Sequence, residues 1–406
     1  MASTTYRLDA DIDPVALGAR SGLLWARESF ALAGLGEAES IRFGPGSAAA
    51  ASERLASLTG EDDVEVPGTG AVAFAALPFD HEVTDRLIVP RIVVGRSVEG
   101  RRWVTVMDGS SFDEAMAEVV SILEQSVPSG PEPSSFRLDS TLAPEIWRDE
   151  VVGFARDRIR AGDLDKAVLA RELRLHTDHP IDIAMVIERL RTAYPAAILF
   201  SVDGFVGASP ELLVARDGDI VRAHPLAGTA PRSSDPATDA SHSAGLLGST
   251  KDRWEHRITI DWLLDTLLPF CSYVDAEPEP TIVTLANVHH LGTRVEGRLS
   301  SPASSVLELV AALHPTPAVG GQPQDVALTL IEALERADRG RYAGPCGWVD
   351  GAGNGGFAVS VRSAEISGTE ARIFAGVGVV GDSDPAAELA ETRSKFQAML
   401  GALIRP

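Results

Sequence analysis

Between Ala197 and Ala223, four short runs of mostly apolar residues are separated by tight-turn signals, and this alternation restricts the fold more than any other feature of the chain. Ala197–Val202, Gly204–Ala208, Glu211–Arg216 and Ile220–Ala223 read as strands, with turns at Asp203-Gly204 and Asp217-Gly218. Two-residue hairpin loops need positive φ, which Asp and Gly accept at low cost. Strands joined so tightly run antiparallel. Further extended runs read at Ala71–Leu77, Leu87–Val94, Trp103–Val106, Leu164–Leu175, Ile282–Ala286, Val288–Gly297, Cys346–Val349, Gly356–Ile366 and Ala371–Val379. Helical periodicity marks Asp113–Gln125, Glu145–Ala161, Ile183–Thr192, Asp252–Leu268, Ser304–Leu313, Pro323–Arg336 and Asp384–Leu403. Consecutive hairpins with helices outside them predict an α+β chain, with large antiparallel sheets flanked by helices, and not an alternating βαβ fold.

A length of 406 residues allows one large domain or two ordinary ones. The Pro/Ser/Gly-rich stretch Val127–Ser135 is either a linker or a crossover within one fold. The net charge of −22 argues against nucleic-acid and anionic-membrane partners. It also means that an anionic substrate would need local cations or a metal. Cys271 and Cys346 fit no ligand or redox spacing and read as reduced core residues. Met1–Pro14 lacks the basic and apolar regions of a signal peptide, and no apolar run reaches the roughly 18 residues of a membrane helix. A cytoplasmic enzyme is the expected class.

Of 36 basic residues only three are lysine: Lys166, Lys251 and Lys395. Arginine stays protonated, whereas a buried lysine can give up its proton and act as a base. On a strand, Lys166 shares a face with Val168 and Ala170, while Ala167 and Leu169 face the other way. Both faces are apolar, which predicts a desolvated amine suited to general base work. A lysine at a strand end that reaches back to water would look the same in sequence. Glu211, between Pro210 and Leu212-Leu213, is expected to hold its proton and act as a general acid, or else to pair with an arginine on an edge strand. Glu388, Glu391 and Lys395 share one face of the last helix. With Glu255 as a third carboxylate they would form a hard oxygen site for Mg²⁺, although solvated acidic helix faces have the same spacing.

Two stretches match Gly-x-Gly-x-x-Gly. Gly351–Gly356 lies between strands and reads as a turn. Gly376–Gly381 follows a strand and precedes a helix, but no second βαβ strand with an acidic residue follows, so dinucleotide binding is not expected. Its glycines remain suited to close backbone approach to a ligand. His289, His290 and His314 have no partners at metal spacing.

In order along the chain stand Leu164-Asp-Lys-Ala-Val-Leu-Ala-Arg171, Gly207-Ala-Ser-Pro-Glu-Leu-Leu213, Pro225-Leu-Ala-Gly-Thr229, Lys251-Asp-Arg-Trp-Glu-His256 and His290-Leu. After them come His314-Pro-Thr-Pro-Ala-Val-Gly-Gly321, Tyr342-Ala-Gly-Pro-Cys-Gly-Trp348, Phe374-Ala-Gly-Val-Gly-Val379 and Glu388-Leu-Ala-Glu-Thr-Arg-Ser-Lys395. Together these motifs resemble the chorismate-utilising enzymes, within them the isochorismate synthases, from about Arg137 to the C-terminus. The resemblance implies that family's fold, with 136–406 as the chorismate-binding catalytic region and 1–135 as an N-terminal α/β portion of the same fold. It implies isomerisation of chorismate, in which water adds at C2, the C4 hydroxyl leaves and the ring double bonds shift. By similarity Lys166 activates water and Glu211 protonates the leaving hydroxyl. Glu255, Glu388 and Glu391 would form the Mg²⁺ shell. Arg362 and Lys395 would meet the substrate's carboxylates. Leu226, Gly228, Thr229, His290, Ala318, Tyr342, Gly376 and Gly378 would line the pocket.

Aminating members of the family resemble this chain but carry another residue where Lys166 stands and take ammonia from a glutaminase. No such subunit is expected here, and a monomer is. Salicylate synthases keep the lysine and then eliminate pyruvate, and their equivalent of His314–Val319 differs. They are the alternative reading, followed by a nucleotide-cofactor oxidoreductase and a non-catalytic homologue. Intact Lys166, Glu211, Glu255 and Glu391 argue against the last. Isochorismate serves both siderophore and menaquinone routes, and neighbouring enzymes decide between them.

Overall fold

The computed structural model describes residues 2–124 and 132–404. Residues 127–131 of the Pro/Ser/Gly-rich stretch lie outside the described residues, as does Gln125 at the end of an expected helix, which runs Phe112–Glu124. Two large sheets carry the fold, antiparallel throughout except where Thr4–Arg7 runs parallel to the edge strand Glu61–Asp62. The thirteen-stranded sheet runs in the order Phe136–Ser140, Lys166–Thr177, Glu370–Val379, Ser363–Ser367, Phe205–Ser209, Ile198–Val202, Leu23–Arg27, Phe30–Leu35, Ile92–Arg96, Arg102–Val106, Thr4–Arg7 and Glu61–Asp62, with Gly321–Gln322 as a short branch on Lys166–Thr177. The nine-stranded sheet contains Leu212–Asp217, Gly355–Val359, Pro345–Asp350 and Val72–Ala76 at its centre. A small third sheet joins Leu226–Pro231, Val288–Gly292 and Thr281–Thr284. Strands from before residue 124 and after 132 share both large sheets: Leu23–Arg27 pairs with Ile198–Val202, and Val72–Ala76 with Pro345–Asp350. Among the described residues the α+β architecture with large antiparallel sheets is therefore present as the hairpin pattern predicts.

The turns explain the register. Val202 pairs with Phe205 across Asp203-Gly204, whose φ values of 48° and 77° make the mirror-image turn that matches strand twist. The second hairpin turns one residue later than expected, because Asp217 pairs with Ile220 and the loop is Gly218-Asp219. Gly218 takes φ 61° at the first loop position, where only glycine is at ease.

Three runs that read as single strands are each divided between sheets. Leu87–Val94 breaks at Pro90 into Asp85–Val89 and Ile92–Arg96, since proline cannot donate to a ladder. Val288–Gly297 becomes Val288–Gly292 and Val295–Leu299. Gly356–Ile366 becomes Gly355–Val359 and Ser363–Ser367, and the crossing between them puts Arg362 at φ 52°. Both halves of each run suit strands, so propensity alone cannot see the break. A further helix, Pro236–Gly248, starts at an Asp235 cap with proline at its first position.

Trp25, Phe74, Phe200 and Trp348 pack the two large sheets together, while Leu190, Ile373 and Phe396 seat helices on the outer face of the larger one. Cys271 and Cys346 are buried free thiols, and burial pushes the Cys346 thiol far up. Among the described residues no helix is long and apolar enough to cross a membrane. Gly351–Asn354 is the turn before Gly355–Val359, folded over the buried Asp350 carboxylate. Gly376–Gly381 begins in a strand whose neighbours are both antiparallel, unlike a dinucleotide-binding unit.

Candidate active site

A cavity of about 220 Å³ opens where the chain passes between the two large sheets. Ser209–Leu212 crosses one way and Val359–Ser363 crosses back. The crossings are tied together: the Ser209 hydroxyl donates to the Val359 carbonyl at 2.6 Å and accepts from the Glu211 N–H at 3.1 Å. Each crossing therefore delivers one charged side chain, Glu211 or Arg362, to the same space. The helices Thr250–Leu267 and Pro385–Leu403 close the other side with Lys251, Asp252, Glu255, Glu388, Glu391 and Lys395. Leu226, Gly228, Thr229, His290, Ala318, Tyr342, Gly376 and Gly378 also line it, so the motif residues meet in one place.

Lys166 is the exception. It begins its strand fully buried and is not part of the cavity lining. Its Nζ lies 3.1 Å from Glu255 Oε1, and Glu255 does face the cavity. The contact has the distance of an ion pair but not the angles of a good hydrogen bond, which leaves donor capacity on Nζ. Gly378 makes room for the pair, since a Cβ there would lie 2.3 Å from Glu255 Oε1 and 3.0 Å from Lys166 Cε. Burial pushes the Glu255 carboxyl up, yet the attraction of Lys166, Lys251 and Lys395 outweighs it and holds the group below its ordinary range.

Glu211 has no such neighbour in contact. Its Oε1 accepts only a long 3.5 Å bond from the Leu226 N–H. Burial pushes its carboxyl up to about 7, against weaker opposing pulls from that bond, Arg362, Lys166 and Lys395. It is therefore substantially protonated near neutrality and can give a proton to a leaving group. His290 stays neutral, because burial and then Arg362 drive its pKa well down. Arg362 Nη2 lies 2.6 Å from His290 Nε2 and can only donate, so Nε2 accepts and Nδ1–H faces the Gly228 carbonyl at 3.2 Å. Tyr342 stacks on Phe374, with ring centroids 5.2 Å apart, beside Gly376.

All three lysines of the chain converge here, each on one of the carboxylates expected to hold Mg²⁺. Lys166 meets Glu255, Lys251 meets Glu388 at 3.0 Å, and Lys395 meets Glu391 at 2.6 Å. Lys395 also donates to the Gly376 carbonyl at 2.8 Å. As arranged, the three carboxylates do not form one ligand set: among the described residues no three acidic, histidine or cysteine side chains are grouped closely enough to hold a metal ion. Their chemistry nevertheless suits a hard divalent cation. Burial, and then the charge of Glu391, pushes the Glu388 carboxyl up to about 7, so a cation that bound there would favour its ionised form.

Three charged lining residues were not selected from the sequence as site residues. Lys251 and Asp252 lie inside a quoted motif, and lysine scarcity alone marks the first. Arg339 carries no local signal among so many arginines. It is buried, forks onto Glu335 at 2.8 and 2.5 Å, and donates to the Val319 and Val168 carbonyls at 2.9 and 2.7 Å. It thereby clamps the loop carrying Ala318 to the strand carrying Lys166.

A family model described as chorismate binding enzyme matches residues 16–404. A putative isochorismate synthase MenF of Mycobacterium tuberculosis (strain H37Rv) is 39% identical over 351 residues, covering 83% of this chain and 87% of the relative. The isochorismate synthase DhbC of Bacillus subtilis is 36% identical over 341 residues, covering 81% and 79%. A solved structure described as a putative 2,3-dihydroxybenzoate-specific isochorismate synthase, DhbC, from Bacillus anthracis superposes with a TM-score of 0.80 at 30% identity, over 96% of this chain and 98% of that one. The fold is shared with anthranilate synthase component I from Streptococcus pneumoniae, at a TM-score of 0.74 and 22% identity over 92% of each chain.

Proposed function

The chain belongs to the chorismate binding enzymes, and on that premise we propose that it isomerises chorismate to isochorismate. The observation that carries the reading is the pairing of two buried groups around one polar cavity, the proton-bearing Glu211 and the Lys166 amine behind Glu255. The names of relatives that cover most of the chain as isochorismate synthases support the same activity.

In the proposed reaction, water gives a proton to Lys166 as its oxygen bonds to C2 of the ring. The ring double bonds shift, the C4–O bond breaks, and Glu211 supplies the proton with which that oxygen leaves as water. Atoms balance, because one water enters and one departs. The enzyme is left with a proton gained at Lys166 and one lost at Glu211, and exchange with solvent resets both. A base needs a free amine, so the Lys166–Glu255 contact has to open during the cycle. Arg362 and Lys395 offer cations to the substrate's carboxylates, and neutral His290 holds Arg362 in line. Mg²⁺ held by Glu255, Glu388 and Glu391 would supply a hard cation for the ring carboxylate in an otherwise acidic protein.

The test is proton NMR of the full chain with chorismate and Mg²⁺, repeated with EDTA and with ammonium. The expected result is a metal-dependent mixture of chorismate and isochorismate that ammonium does not alter, which would require no glutaminase partner. Salicylate plus pyruvate would place the chain with the lyases. An aminated product would overturn the role of Lys166, and unchanged chorismate would overturn the activity.

A further inference from the structure

Lys251 is the lysine for which the isomerisation has no use. It is a third exposed, whereas its partner Glu388 is almost wholly buried, and their contact bridges the helices Thr250–Leu267 and Pro385–Leu403. The other two site pairs are held by additional features. Lys166 is sealed beneath Gly378, and Lys395 is anchored both to Glu391 on its own helix and to the Gly376 carbonyl. Lys251 makes one hydrogen bond, to a carboxylate that lies deeply buried and beside the like charge of Glu391.

A carboxylate in that position needs a cation whether or not a metal is bound, because two neighbouring carboxylates cannot both stay ionised in a poorly solvated wall. An ammonium on a flexible four-carbon stem can supply that charge and also withdraw to solvent, which a rigid, multiply bonded guanidinium does less easily. This accounts for a lysine at this position in a chain that otherwise uses arginine.

We propose that Lys251 is a built-in counter-ion that holds Glu388 while the metal is away, and that a divalent cation entering the site takes Glu388 over from it. Lys251 is thus a positioning residue. It keeps the two helices in register in the metal-free protein and lowers metal affinity by competing for one ligand. The inference rests on the reading of Glu255, Glu388 and Glu391 as the Mg²⁺ shell.

The experiment is calorimetric titration of the full chain with Mg²⁺ alone, without chorismate and at fixed ionic strength, for the wild type, Lys251→Gln and Arg253→Gln. Arg253 lies on the same helix and pairs with Glu279, so its replacement removes an equal charge without touching Glu388. Lys251→Gln is expected to bind Mg²⁺ about fivefold more tightly, as befits loss of a partly solvated competing pair. Arg253→Gln is expected to stay within about twofold of the wild type. Thermal melts supply the second readout. In EDTA Lys251→Gln should melt below the wild type, and Mg²⁺ should close the gap. Unchanged or weaker binding in Lys251→Gln, or equal tightening in Arg253→Gln, would overturn the counter-ion role while leaving the metal site standing. Absence of Mg²⁺ binding in the wild type would overturn both.

Discussion

Glu211→Gln should switch off turnover and at the same time stabilise the protein at alkaline pH. A carboxyl raised from its ordinary 4.5 to about 7 binds a proton in the folded state that the unfolded chain has already lost. Stability therefore falls as pH rises through that window and stays lower above it. Since Glu211 is fully enclosed, the loss amounts to about 3 kcal/mol once pH exceeds both values. Glutamine has no such titration. Its Oε1 can still accept from the Leu226 N–H, but its amide N–H₂ has no carbonyl assigned to it and costs about 1 kcal/mol. The variant should gain about 2 kcal/mol over the wild type near pH 8, and should be slightly less stable than it, by about 0.5 kcal/mol, near pH 4.5, where only the cost of the amide is left uncompensated. Urea denaturation across that range measures the difference, and Glu388, which titrates in both proteins, cancels from it. Turnover should fall at least about a hundredfold, as expected when a general acid is removed. A stability difference independent of pH would refute the burial argument. Retention of more than a tenth of the activity would refute the role as acid.

Lys166→Ala should destabilise by about 3–5 kcal/mol, because it strands Glu255 without its buried partner. Lys166→Met combined with Glu255→Gln should recover most of that loss in chemical denaturation, and strictly additive losses would show that the pair is not coupled. Gly378→Ala should lower turnover at least tenfold while leaving secondary structure unchanged by circular dichroism, since its Cβ would displace the Glu255 carboxylate; full activity would mean that the pair can move without consequence. Arg339→Lys should cost about 3 kcal/mol or more in thermal unfolding, as an ammonium cannot serve Glu335 and two carbonyls at once; a loss under 1 kcal/mol would refute the clamp.

Several parts of the fold were readable locally. The Asp203-Gly204 hairpin follows from two residues that accept positive φ, and its neighbour was missed by only one residue because Asp217, Gly218 and Asp219 all suit a turn. The breaks at Pro90, at Thr293-Arg294 and at Ser360–Arg362 were less legible, since only Pro90 carries a local signal. The others occur because the chain has to leave one sheet for the other. Arg362 reaches the cavity through such a break, at a backbone angle that no propensity scale would assign to arginine.

Sequence by itself determined what depends on near neighbours: the antiparallel hairpins, the long amphipathic helices, the ordered motifs of a chorismate-binding chain and the unusual retention of three lysines. Tertiary structure alone decided which groups share a space. Lys251 and Glu388 stand 137 residues apart in the chain yet 3.0 Å apart in the fold, and Lys166 lies behind the cavity wall although residues of the other motifs line it. The physical reason is range. Turn and strand preferences are set within a few bonds, whereas desolvation and ion pairing depend on what the packed sheets and the two helices bring into contact.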